Sequence, residues 1–192
     1  MELDALRYVG GDNPYIQEVW ANNALEGGSA SSPAFSSDGT RIYVNDLNNH
    51  LLSIDADTGV IVWDYDIGFN AVGSPSVSED GIIIPAAAFG EVRGMIAIKD
   101  DDDTPNLLWR RDDVIQLGVP AQAAGNVSYT FIRTGLVNLR TQLLTFNTLT
   151  GETLDTDLVP GSAMSTVGTS IGPNGEVITP ALGGTVYSFR PN

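Results

Sequence analysis

Residues 53–63 read S-I-D-A-D-T-G-V-I-V-W, from Ser53 to Trp63. Two short β-rich runs flank a turn, and the second ends in an indole. Asp55 and Thr58 carry short oxygen-bearing side chains that bond nearby backbone, and Gly59 is free to take a positive φ. The stretch therefore predicts a β-hairpin. Trp63 is either part of a reactive site or a fastener used more than once, and the rest of the chain decides between these roles.

Turn signals recur at a steady interval. SSPAFSSDGTRIYV starts at Ser31, GSPSVSEDGIIIP at Gly73, GVPAQAAGNVSYTF at Gly118 and GTSIGPNGEVITP at Gly168. Aligned on Pro33, Pro75, Pro120 and Thr169, the steps are 42, 45 and 49 residues. Each copy sets an Asp-Gly, Gly-Asn or Asn-Gly pair between alternating runs, which is a hairpin signature. A second hairpin follows in three units: HLLSIDADTGVIVWDYD, GMIAIKDDDDTPNLLWRRD and TQLLTFNTLTGETLDTDL. No segment shows helical periodicity, and PAAAFG (Pro85 to Gly90) is flanked by helix breakers.

Four strands per period of this length predict an all-β fold, a β-propeller of four-stranded antiparallel blades with about four blades visible. A jelly roll or flat sandwich would not give near-equal repeats. The blades are expected at about residues 30–66, 73–112, 118–158 and 167–190, within a single domain or propeller fragment spanning 1–192. The chain opens on a strand of the last type, Tyr15 to Asn23, and ends on one of the third type, Gly184 to Asn192. The opening strand, residues 15–21, is therefore placed to complete the last blade. A closed four-blade ring, two copies in an eight-blade ring, and part of a longer chain all remain open.

Bulk composition narrows the function classes. The chain has 192 residues, 42% hydrophobic and 17% charged, enough for one domain with its own core. The absence of Cys excludes a disulfide framework, a zinc-thiolate site and a Cys nucleophile. The single histidine, His50, excludes a His-rich metal site and leaves one candidate at most for a Ser-His-Asp triad. A net charge of −15 repels phosphate backbones and anionic lipid, which argues against nucleic acid or a membrane surface as partner. Lys99 is the only lysine, which fits a salt-tolerant host and equally a codon bias. No run approaches the roughly 18 apolar residues of a membrane span. The acidic start, MELDALRYVGGDNPY, lacks the apolar region of a signal peptide.

The Ser53–Trp63 stretch fits A-x-D-x-x-T-G-x-x-x-W, with Ser53 at the Ala position, then Asp55, Thr58, Gly59 and Trp63. This resembles the tryptophan-docking motif of the PQQ-like (quinoprotein alcohol dehydrogenase-like) propeller repeats. The resemblance implies that the motif joins the last two strands of a blade and that the Trp packs on the neighbouring blade. The other copies are degenerate. The second keeps Ala97 and Trp109 around a turn two residues longer, and the third keeps Thr150 and Gly151, with Asn147 at the Asp position, but has Asp155 at the Trp position. Trp20 fills the slot in the opening strand. Repetition at Trp20, Trp63 and Trp109 favours the fastener.

The resemblance implies two kinds of function. Quinoprotein dehydrogenases hold PQQ with calcium over the propeller axis, but no stretch here carries over their calcium ligands or catalytic Asp. Other members lack a cofactor and serve as scaffolds in outer-membrane protein assembly. The reading is a non-catalytic, extracytoplasmic scaffold with a protein partner and no predicted cofactor. A homodimer or a place in a larger propeller fits it too. The alternatives are a fragment or half of a PQQ-dependent dehydrogenase and a carbohydrate- or surface-binding module of a secreted protein. Asp100, Asp101, Asp102 and Asp103 are weak calcium candidates, since calcium favours several carboxylate oxygens, and the competing reading is a solvated hairpin tip. His50 reads as a turn residue, GGSASS (Gly27 to Ser32) as the lead into an inner strand, and Arg110, Arg111, Asp112 and Asp113 as a mixed surface patch.

Overall fold

A computed structural model describes residues 2–86, 93–101, 103–119, 121–123, 126–134, 140–160, 169–180 and 184–190. Every regular element in these residues is a β-strand. The N-terminal hairpin pairs β1 (Leu3–Val9) with β2 (Tyr15–Asn22). The first blade is β3 (Ala34–Phe35), β4 (Arg41–Asn45), β5 (His50–Asp55) and β6 (Ile61–Asp66), paired in that order. The second is β7 (Gly73–Val77), β8 (Ile82–Ala86), β9 (Arg93–Asp101) and β10 (Thr104–Gln116). The third is β11 (Ala121–Ala123), β12 (Val127–Thr134), β13 (Arg140–Asn147) and β14 (Thr153–Leu158). The fourth has three described strands, β15 (Ser170–Ile171), β16 (Val177–Pro180) and β17 (Val186–Phe189). The first three blades have the four antiparallel strands expected from the repeats, and among the described residues the sheets do not close into a ring.

Two features depart from the sequence reading. The opening strand does not complete the last blade: β2 pairs with β1, and β15–β17 form a separate sheet. β1 and β2 stand beside the first blade as a two-stranded sheet, with Trp20 on β2 packed against Ile42, Val44 and Ile54 of that blade. In addition, β10 runs on past residue 112 to Gln116, where Ile115 and Gln116 pair with Arg133 and Ile132 of β12. That pairing joins the second and third blades into one sheet.

The core lies between blades, because each blade is a thin sheet with two apolar faces to cover. There is one buried cluster per interface. Trp20, Leu25, Ile42, Val44, Leu52 and Ile54 fill the space between the hairpin and the first blade. Tyr43, Leu51, Trp63, Ile67, Phe69, Ile83, Ile96 and Ile98 fill the next interface. Ile82, Ile84, Met95, Trp109, Val114, Ile132, Leu144 and Phe146 fill the third. Leu117, Phe131, Leu143, Val159 and Val177 fill the fourth, which has no Trp. Trp63 stacks at a tilt on Tyr43, and Trp109 meets Phe146 edge-on with ring centroids 5.7 Å apart. Replacing Trp63 with Ala is expected to lower unfolding free energy by about 3–5 kcal/mol, read from urea denaturation.

Candidate functional site: the inter-blade docking seats

The same local device aims each indole. Trp20 lies across from Ala5, Trp63 from Ser53 and Trp109 from Ala97. In each pair the residue before the Trp (Val19, Val62, Leu108) is left out of the ladder as a β-bulge. A bulge bends the strand and re-aims the next side chain. The third blade keeps the geometry without the indole: Asp155 faces Thr145, and Leu154 is the bulged residue. A small residue, Ala or Ser, stands opposite each Trp.

Two seats are built alike. Trp20 donates its indole N–H to the Ala56 carbonyl at 2.9 Å, and Trp109 donates to the Thr148 carbonyl at 2.8 Å. Each ring lies on a turn glycine of the next blade. A Cβ on Gly59 would stand 2.6 Å from a Trp20 ring carbon, and one on Gly151 would stand 2.6 Å from a Trp109 ring carbon. These glycines also have φ of 73° and 70°, where L side chains are disfavoured. Asp55 fixes the first turn by accepting from the Thr58 N–H at 2.9 Å and the Thr58 hydroxyl at 2.7 Å. These bonds from Thr58 hold its carboxyl below the usual value. Asn147 fixes the other turn through the Leu149 and Thr150 N–H groups. Two residues past each Trp a second donor locks the turn: Asn22 to the Gly59 carbonyl, and Arg111 to the Gly151 carbonyl at 3.1 Å.

The middle seat differs. Its turn is the longer KDDDDTPN, without the Thr-Gly pair. Here Trp63 donates to the carboxylate of Asp100 at 3.0 Å. The other oxygen of Asp100 accepts from the Tyr43 hydroxyl at 2.8 Å and from Ser53 at 3.4 Å. Burial, and then the bond to Asp100, push the Tyr43 phenol well above its usual value. Asp103 pairs with Arg41, which also reaches Asp55. Asp101 accepts from Asn106, and Asp102 lies outside the described residues. The acidic tip is thus an inter-blade clamp at two of its positions. Among the described residues no three His, Asp or Glu side chains gather as a metal site would require.

The remaining candidates have structural partners. The His50 ring bonds Asp64, and the His50 backbone N–H donates to Asp46. Ser29 and Ser31 of the Gly/Ser stretch bond the backbone of Asn45, whose amide donates to the Gly73 carbonyl at 2.8 Å. Arg110 pairs with Asp112 and donates to the Ile67 carbonyl, and Arg111 pairs with Asp113. The surface patch thus doubles as an inter-blade tie. The sequence reading did not identify the roles of Asn22, Asn45 and Arg111. For Asn22 and Arg111 the signal was their fixed place two residues after a Trp.

Replacing Asp100 with Ala strands the Trp63 and Tyr43 donors and should cost about 2–4 kcal/mol, while Asp101→Ala should cost under about 0.5 kcal/mol. Gly151→Ala should cost at least about 1 kcal/mol through strain and collision with Trp109. The bond to Asp64 raises the His50 pKa above 6.5 against an opposing effect of burial. The pair therefore stabilises the fold fully below the unfolded-state pKa and loses that effect as pH rises through the folded-state pKa. Asp64→Asn should lower the melting temperature at about pH 5 and leave it nearly unchanged at about pH 9.

Comparison with known proteins agrees with this architecture. The family described as outer membrane protein assembly factor BamB matches residues 13–174. Protein Rv3035 of Mycobacterium tuberculosis is 33% identical over 176 residues, which is 90% of this chain and 42% of that protein. The chain therefore spans less than half the length of that relative. In fold it is similar to BamB from Moraxella catarrhalis, with a TM-score of 0.73, 14% identity, and 98% of this chain and 59% of that chain covered. It is also similar to the quinohemoprotein alcohol dehydrogenase ADHIIG from Pseudomonas putida HK5, with a TM-score of 0.62, 16% identity, and 97% and 39% covered. The chain belongs to the BamB family of PQQ-like repeat β-propellers.

Proposed function

We propose that this propeller segment is a non-catalytic assembly scaffold that binds protein through the outer face of the β1–β2 hairpin. One observation carries the reading. Leu3 and Ala5 pack inward with Trp20, so the alternate residues of β1 face away from the first blade. On that outer face Leu6 is 64% exposed, Tyr8 68% and Ile16 59%, with Tyr8 directly across from Ile16. A clustered apolar sheet face of this kind gains free energy when another protein surface covers it. The family description, an outer-membrane assembly factor, supports a protein partner and an extracytoplasmic location. The proposed cover is another protein; a second copy of the chain would instead appear as a self-adduct, and further blades of a longer propeller as no intermolecular adduct.

The acidic candidates lend no support to the alternative of PQQ with calcium: Asp100 is turned into the middle seat, Asp103 is paired with Arg41, and no three described acidic side chains gather at one point. Two experiments test the scaffold reading. A photo-crosslinker at Tyr8 should give a defined protein adduct in the native host. Leu6→Ser with Ile16→Ser should remove that adduct without changing the melting temperature. Titration with PQQ and calcium, followed by an alcohol-oxidation assay with an artificial electron acceptor, should give no turnover. Saturable quinone binding with turnover would overturn the reading.

A further inference from the structure

The interface between the third and fourth blades is the one described seat where the repeat lacks its indole. In the first blade Tyr43, Ser53 and Trp63 form one cross-strand row, and the third blade's corresponding row is Tyr129, Thr145 and Asp155. In the next row, Leu51 pairs with Tyr65 and Leu143 pairs with Asp157. Both aromatic side chains that close the first blade's outer strand are therefore aspartates here. What remains is a cleft of about 540 Å³, within the range of small-molecule sites. Tyr129 and Leu143 line it from one blade, and Val177 and Phe189 from the other. Asp155, Asp157 and Arg190 also line it. Two carboxylates, Asp155 and Asp157, against the single guanidinium of Arg190 leave the cleft's charged lining net negative.

We propose that this cleft binds a planar aromatic ring carrying an ammonium group, an arylalkylamine. The ring takes the place that Trp20, Trp63 and Trp109 hold in the other seats, against the faces of Tyr129 and Phe189. The ammonium group meets Asp155 and Asp157 in charge-assisted hydrogen bonds. An aromatic acid has the same ring but the wrong charge for this pair.

Tryptamine and indole-3-propionate, titrated separately into the chain by calorimetry, test the proposal. Tryptamine should saturate, and the acid should bind at least about tenfold more weakly, a difference of about 1.4 kcal/mol. Asp155→Trp should fill the seat from within, abolish tryptamine binding and raise the melting temperature. Asp157→Asn should narrow the gap between the two ligands. If Asp155→Trp does not fold, Tyr129→Ala together with Asp157→Asn carries the test, and both should weaken tryptamine. Equal affinity for the two ligands, no saturation, or unchanged binding in a folded Asp155→Trp would overturn the proposal.

Discussion

The fold depends on one contact: an indole from the last strand of a blade laid on the turn of the next. A lone blade cannot bury either of its faces, so the arc holds only if neighbouring sheets stay packed at a fixed offset. The Trp20 and Trp109 seats set that offset in three ways at once. The ring fills volume between the sheets, its N–H finds a fixed carbonyl, and the glycine beneath admits no other residue at that distance. The bulge before each Trp makes the arrangement repeatable, because it sets the ring's direction from the local backbone. Stability then passes from blade to blade as nearest-neighbour terms.

A buried indole also imposes a constraint, since its N–H must have an acceptor. The middle interface shows how the chain meets it when the turn changes. Lengthening the tip removes the turn, Asp55 to Gly59 or Asn147 to Gly151, that presents a backbone carbonyl in the two regular seats. A carboxylate takes over, and because it has two oxygens it also gathers the Tyr43 and Ser53 hydroxyls. Three donors on the first blade then converge on one residue of the second, with Arg41 and Asp103 as a second tie beside them. The acidity of this tip therefore has an inter-blade cause at Asp100 and Asp103.

The sequence revealed the period, the regular turn and the missing indole, because each is a local pattern. Asp55, Thr58 and Gly59 act within five residues, and Asp155 stands out by its position alone. What it concealed is non-local. β1 escaped notice because the turn joining it to β2, residues 10–14, carries no Asp-x-x-Thr-Gly pattern, so only cross-strand pairing reveals it. Asp100 was indistinguishable from its acidic neighbours, since its role depends on Trp63 in another blade. The extension of β10 to Gln116 was hidden because the ladder changes partner from β9 to β12 within one strand.

The interfaces are not equal, and their order has a consequence for dynamics. The hairpin, the first blade, the second and the third are each held to a neighbour by an indole, and the second and third also share one sheet. The fourth blade has neither support. Its sheet is separate, its described strands are short, and its apolar contact rests on Val177 with partly buried Tyr187 and Phe189. In a nearest-neighbour chain the weakest interface opens first, and it opens without dismantling the others. The tie between Thr169 and the Val119 carbonyl and that between the Tyr187 hydroxyl and the Pro160 carbonyl cross this boundary. Neither buries area comparable to an indole. Opening here exposes the same cleft that Asp155 leaves unfilled, so the proposed ligand site borders the joint with the least resistance to admitting one.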